Sequence, residues 1–96
     1  PTGAEPTFQT SNVSAVPDGF GGVNFTGEAS LESGEYESAG MGQIAVTVIL
    51  RDESGRIVYG AIGFANRPTA ERSVSFEVTG GKVPAYSSID VYVQVW

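Results

Sequence analysis

Apolar residues recur at every second position along most of this chain, and no stretch sustains the 3.6-residue period of a helix. In QIAVTVILRD, residues 43–52, Ile44, Val46, Val48 and Leu50 share one parity, while Thr47, Ile49 and Arg51 take the other. In VNFTGEASLE, Val23, Phe25, Gly27, Ala29 and Leu31 alternate with Asn24, Thr26, Glu28, Ser30 and Glu32. SVSFEV sets Val74, Phe76 and Val78 on one side. SIDVYVQVW sets Ile89, Val91, Val93 and Val95 against Asp90, Tyr92, Gln94 and Trp96. Successive side chains of a strand point to opposite faces, so this pattern calls for half-buried strands with one face on a core. No helix longer than one turn is expected.

The segments between these runs carry turn chemistry. Val16-Pro17-Asp18-Gly19 combines a preset proline φ with an Asp-Gly pair that tolerates a positive one. Residues 8–15 read as a first strand only if a bulge intervenes, because Phe8 and Val13 have opposite parity. Residues 33–42, with three glycines and two glutamates around Tyr36, read as a long polar loop, and 82–88 as a second one. Asp52-Glu53-Ser54-Gly55 predicts a hairpin with Gly55 in the left-handed position. A three-residue loop there pairs Asp52 with Arg56, Leu50 with Val58, Val46 with Ile62 and Ile44 with Phe64. That register puts Val58, Ile62 and Phe64 inside, whereas a slip of one would bury Tyr59 and Gly63 instead. The first buries the larger side chains and is the expected register.

Ninety-six residues suit one cored domain, expected over residues 8–96, with residues 1–7 as a flexible leader or linker. Six or seven short strands separated by turns point to an antiparallel β-sandwich or an open barrel, of which the sandwich, with six to eight strands, is the expected fold. The opening Pro-Thr-Gly, without methionine, suggests a mature or excised piece. No apolar run reaches the about 18 residues of a membrane-spanning helix.

Composition removes several classes of function. The net charge is −6, with one lysine (Lys82) and four scattered arginines, so the basic clusters that bind nucleic acid are missing. Cysteine and histidine are both absent. Disulfides, thiolate chemistry, the commonest general base and the commonest transition-metal ligand go with them. The expectation is a non-catalytic domain.

The run VTVILRDESGRIV, preceded by FTGEASLES and followed by SVSFEV, resembles the FxLYD domain, an immunoglobulin-like sandwich of bacterial and archaeal envelope proteins, often lipoproteins. Its namesake pentapeptide falls at Val48-Ile49-Leu50-Arg51-Asp52, where Leu50 and Asp52 match while Val48 and Arg51 replace aromatic residues. Gly55 and Val58 fit the hairpin that follows; the family's later Pro-Gly turn is missing, Thr69-Ala70-Glu71 standing before Phe76. The resemblance covers about residues 23–96. It implies an extracellular or cell-envelope location and no active-site residues.

The candidate binding residues are outward-facing and apolar: Tyr92 and Trp96 on the last run, with Tyr59 and Ile49 beside them in the expected register. Tyr92 and Trp96 would stand about 13 Å apart. Rings spaced along a strand can stack on sugars, or cover the sheet against a neighbouring domain, and the second use is the commoner. The expected function is that of a non-catalytic interaction or spacer module whose partner is a protein or neighbouring domain; the alternative is a carbohydrate-binding module appended to an extracellular glycoside hydrolase, with a polysaccharide as its ligand. Glu28, Glu32, Glu35 and Glu37 are weak calcium candidates, since calcium needs about six to eight oxygens and these lack a fixed-loop spacing. No cofactor is expected. Asn12-Val13-Ser14 and Asn24-Phe25-Thr26 are formal glycosylation sequons. A more distant reading is a protease inhibitor presenting the 33–42 loop.

Overall fold

The computed structural model describes residues 6–34, 42–69 and 71–96. Six strands run β1 (Thr7–Pro17), β2 (Val23–Ser33), β3 (Gln43–Arg51), β4 (Ile57–Asn66), β5 (Val74–Gly81) and β6 (Ser88–Val95). They make two three-stranded sheets ordered β1-β2-β5 and β4-β3-β6, every neighbouring pair antiparallel. The described residues contain no helix. Three connections (β2 to β3, β4 to β5 and β5 to β6) cross between the sheets. The fold is a small all-β sandwich, as expected from the alternation. The leader region lies largely outside the described residues, and Thr7 already belongs to β1, opposite Ser33.

Period-two alternation places the core where it should. Phe25 and Ala29 of β2, Ile44, Val46, Val48 and Leu50 of β3, and Phe76 and Val78 of β5 are buried together. Gly27 of that face lies opposite Phe76, whose ring occupies the space a Cβ would take. In β1 the bulge that parity demanded is present. The register against β2 shifts between Ser11 and Ser14, and Asn12 takes φ 55°, a left-handed conformation that asparagine tolerates. The extra residue brings Phe8, Val13 and Ala15 to the core side together.

The β3–β4 register differs from the expected one. The turn itself forms as read: Asp52 N–H donates to Arg56 O (2.9 Å), Gly55 has φ 86°, and Arg51 faces Ile57. A register shift follows at once, so Leu50 faces Tyr59, Val48 faces Ala61, Val46 faces Gly63 and Ile44 faces Ala65. Val58 is the inserted residue and, with Tyr59, packs on the core. Ile62 and Phe64 are thereby turned outward, 53% and 43% exposed.

The physical reason is the neighbouring sheet. β4 folds edge-to-edge against β5, and only small side chains fit between them. A Cβ on Gly63 would lie 2.9 Å from Glu77 O and 3.0 Å from Val78 Cγ2. Tyr59 completes the closure by donating its hydroxyl hydrogen to Gly80 O. Burying Ile62 and Phe64 would have held the two strands apart.

Asp52 organises the β3–β4 turn. Its Oδ1 accepts from Ser54 N–H (3.0 Å), Ser54 Oγ–H (2.7 Å) and Arg56 N–H (3.0 Å). The Ser54 hydroxyl above all, then the Arg56 amide, lower its pKa from the ordinary 3.8. A carboxylate whose folded pKa is depressed stabilises above its unfolded pKa and loses that contribution as pH falls through the folded one. Asp52→Ala should therefore lower Tm at pH 7, and the gap to wild type should narrow below about pH 3.8. Thermal melts of both proteins from pH 7 to pH 2 test this; a gap independent of pH would assign the loss to packing.

Candidate functional site

The two outer faces of the sandwich differ in chemistry. On the β1-β2-β5 sheet the outward positions of β2 and β5 are Asn24, Thr26, Glu28, Ser30, Glu32, Ser75, Glu77 and Thr79, all polar. On the β4-β3-β6 sheet the register sets Phe64, Ala45 and Gln94 in one row, then Ile62, Thr47 and Tyr92, then Gly60, Ile49 and Asp90, then Ile57, Arg51 and Ser88. The upper rows carry large apolar side chains open to solvent beside the polar Thr47 and Gln94: Trp96 is 70% exposed, Ile62 53%, Tyr92 50% and Phe64 43%.

Local geometry shapes this face. Phe64 and Trp96 meet edge to face, centroids 5.0 Å apart at 67°, and Ala45 in the row between their strands is only 2% exposed. Ile49 leans over Gly60, where a Cβ would sit 3.4 Å from Ile49 Cδ1. At the far end Arg51 Nε lies 2.7 Å from Asp90 Oδ2, and Arg51 Nη1 donates to Gly55 O (3.1 Å). Asp90 above all, and then Tyr92, favour the charged guanidinium and raise the Arg51 pKa above its ordinary value. The face is therefore an apolar field bounded at one end by a neutralised ion pair.

Of the residues singled out from sequence, Tyr92, Trp96 and Ile49 lie on this face together. Tyr59 does not: the bulge at Val58 turns it toward the core and its hydroxyl to Gly80. Ile62 and Phe64 take its place, and the signal for them was the run of small residues at alternate positions, Ala61, Gly63 and Ala65. A second exposed aromatic is Phe20, 89% exposed in the β1–β2 turn. Asp18 Oδ1 holds that turn by accepting from Phe20 N–H (2.7 Å) and Gly22 N–H (3.0 Å).

The acidic candidates do not converge. Glu28 and Glu32 share the polar sheet face but stand about 13 Å apart along β2. Glu28 accepts from Asn12 Nδ2–H (2.7 Å) and Ser73 Oγ–H (3.4 Å). Glu35 and Glu37, like most of the 33–42 loop, lie outside the described residues. Among the described residues no three acidic side chains are grouped to hold a metal ion, and no helix is long and apolar enough to cross a membrane. Both sequon asparagines are on strands, Asn12 exposed and Asn24 half-buried.

No protein-family model matches the chain, and no curated protein or solved structure is significantly similar to it.

Proposed function

We propose that this domain is a non-catalytic interaction module of a secreted or envelope-anchored prokaryotic protein, docking another protein or a neighbouring domain through the outer face of the β4-β3-β6 sheet. The observation that carries this reading is the set of large apolar side chains Ile62, Phe64, Tyr92 and Trp96, all exposed on one sheet whose counterpart on the other sheet is polar. Exposed apolar side chains gathered on one face characterise binding sites more often than solvated faces. The FxLYD-like hairpin supports the extracytoplasmic setting, and the absence of histidine and cysteine supports a module without catalysis.

A polysaccharide platform is the second reading, and ring orientation weighs against it. Sugars stack on faces presented in one plane, whereas Phe64 and Trp96 stand at 67° to one another. Trp96→Ala should lower stability by about 0.5–1.5 kcal/mol, the worth of an aromatic pair, and uncover Ala45. Tyr92→Ala should change stability by less.

A photo-crosslinking residue at position 62 tests the function directly. Covalent capture of a defined polypeptide, lost when Phe64→Ser and Tyr92→Ser are added to a domain that still melts cooperatively, is the expected result. Retention of the wild type on cellulose, chitin or xylan, lost in stably folded Trp96→Ala and Tyr92→Ala, would replace this reading with the carbohydrate one.

A further inference from the structure

The sandwich is closed along one flank and open along the other. β4 and β5 seal their side through Gly63 and the Tyr59–Gly80 hydrogen bond. On the opposite flank β1 and β6 are the outer strands, and among the described residues each pairs with one neighbour only. The core-facing side chains there are incompletely covered: Ile89, Val91 and Val93 are half-buried and Val95 is 38% exposed, while their β3 row-mates Leu50, Val48, Val46 and Ile44 are fully buried.

The two open edges are not equivalent. β1 is broken by the bulge at Asn12 and ends in Pro17, devices that blunt an edge against pairing. β6 has no bulge against β3 and no proline, glycine or lysine. Trp96 N–H donates to Gln43 O (3.0 Å), so by the alternation of an antiparallel ladder Gln94, Tyr92 and Asp90 also turn their amides to β3. The backbone groups of Ile89, Val91, Val93 and Val95 then point to the open edge. A row of free amides above half-covered valines has the chemistry of a strand acceptor.

We propose that β6 pairs antiparallel with β6 of a second copy, about a two-fold axis at Tyr92. That register matches every residue from Ser88 to Trp96: Val91 opposite Val93, Ile89 opposite Val95, Asp90 opposite Gln94 and Ser88 opposite Trp96. The pairs exchanging hydrogen bonds are the odd-numbered residues, whose amides are free. Asp90 meets a neutral glutamine, and its own charge is already held by Arg51. A two-fold at Asp90 would instead oppose two carboxylates and leave Val95 and Trp96 without partners. The result is a continuous six-stranded sheet in an isologous dimer, the commonest symmetry of soluble oligomers.

The chain has no cysteine, which makes the test direct. Residues facing each other at a non-hydrogen-bonded antiparallel site have Cα atoms about 4.5 Å apart, within disulfide reach. Tyr92→Cys should give a disulfide-linked dimer under mild oxidation, whereas Ile62→Cys, on the same face but two strands from the edge, should not. Sedimentation should show a concentration-dependent dimer that salt strengthens, since each copy carries −6. Tyr92→Lys, which sets two cations face to face at an exposed position, should raise the dimer Kd by roughly tenfold or more. Gln94→Lys, facing Asp90, should lower it. A monomer at all concentrations up to millimolar would overturn the proposal, and so would a dimer that crosslinks through Ile62→Cys, which would put self-association on the sheet face. The outer-face function is judged separately by capture at position 62 of a different polypeptide, so either can fail alone.

Discussion

Phe76→Ala is expected to remove about 3–5 kcal/mol, the usual cost of deleting a buried ring. Phe76 is 4% exposed and sits between Val74 and Val78 on the inward parity of β5. Its ring covers Gly27 of the adjacent strand so closely that a Cβ there would stand 2.6 Å from Phe76 Cζ. The variant loses apolar burial and leaves a void against a glycine, which has no side chain to collapse into it. For a domain of this size the loss corresponds to a fall in Tm of about 15–30 °C. The contact with Gly27 supplies a sharper check than the single mutant. Gly27→Ala should destabilise the wild type by forcing the ring aside, and should be harmless or slightly stabilising beside Phe76→Ala. A double-mutant cycle by denaturant unfolding measures this coupling, expected at about 1–3 kcal/mol. Additive effects, or a loss below about 1 kcal/mol for Phe76→Ala, would mean that this face is not the core.

Gly80→Ala is expected to cost about 1–3 kcal/mol although it adds a single methyl group. Gly80 is buried where β5 bulges against β2, between Thr79 opposite Asn24 and Gly81 opposite Val23. A Cβ would lie 2.6 Å from Phe25 Cε2 and 2.7 Å from the backbone oxygen of Val23. Phe25 is fully buried and cannot swing away, and the Val23 carbonyl is fixed by the strand. The same residue's carbonyl receives the Tyr59 hydroxyl, so displacing it also loosens the β4–β5 closure. The matched control is Gly60→Ala, whose Cβ meets the end of the Ile49 side chain at 3.4 Å and the Val48 carbonyl oxygen at an ordinary 3.8 Å. Thermal unfolding of the two variants side by side should show a large drop for the first and a near-neutral result for the second. Equal behaviour would mean that the closed flank is not tightly packed.

The outer face bears directly on how the chain was to be read. Tyr92, Trp96 and Ile49 were legible as outward residues because β3 and β6 keep an unbroken alternation over eight or nine residues. Their rows across the sheet then follow from a single pairing. Ile62 and Phe64 read as inward, and the alternate small residues Ala61, Gly63 and Ala65 were the one local sign against it. Judged by size alone they belong inside, and the turn at Asp52–Gly55 by itself supports that placement. One inserted residue, Val58, reverses every side chain beyond it. Nothing in the local sequence requires the insertion. It is required by the approach of β5, because Gly63 alone lets the two backbones come as close as they do.

The division between the two kinds of information follows from the range of the forces involved. Alternation, turn residues and parity are local, and the chain by itself determined an all-β fold of six to eight strands, a one-sided burial on β2, β3 and β5, and the condition that β1 forms only with a bulge. Which strands share a sheet, which flank closes and which stays open were decided only by the tertiary structure. Those choices turn on whether two distant backbones can touch, and that depends on the pairing of a small residue on one strand with free space on another. The apolar face and the open edge of β6 are both products of that decision. Closing the sandwich at β4 and β5 required small residues inward, sent Ile62 and Phe64 to the surface, and left the outer side of β6 without a strand neighbour among the described residues.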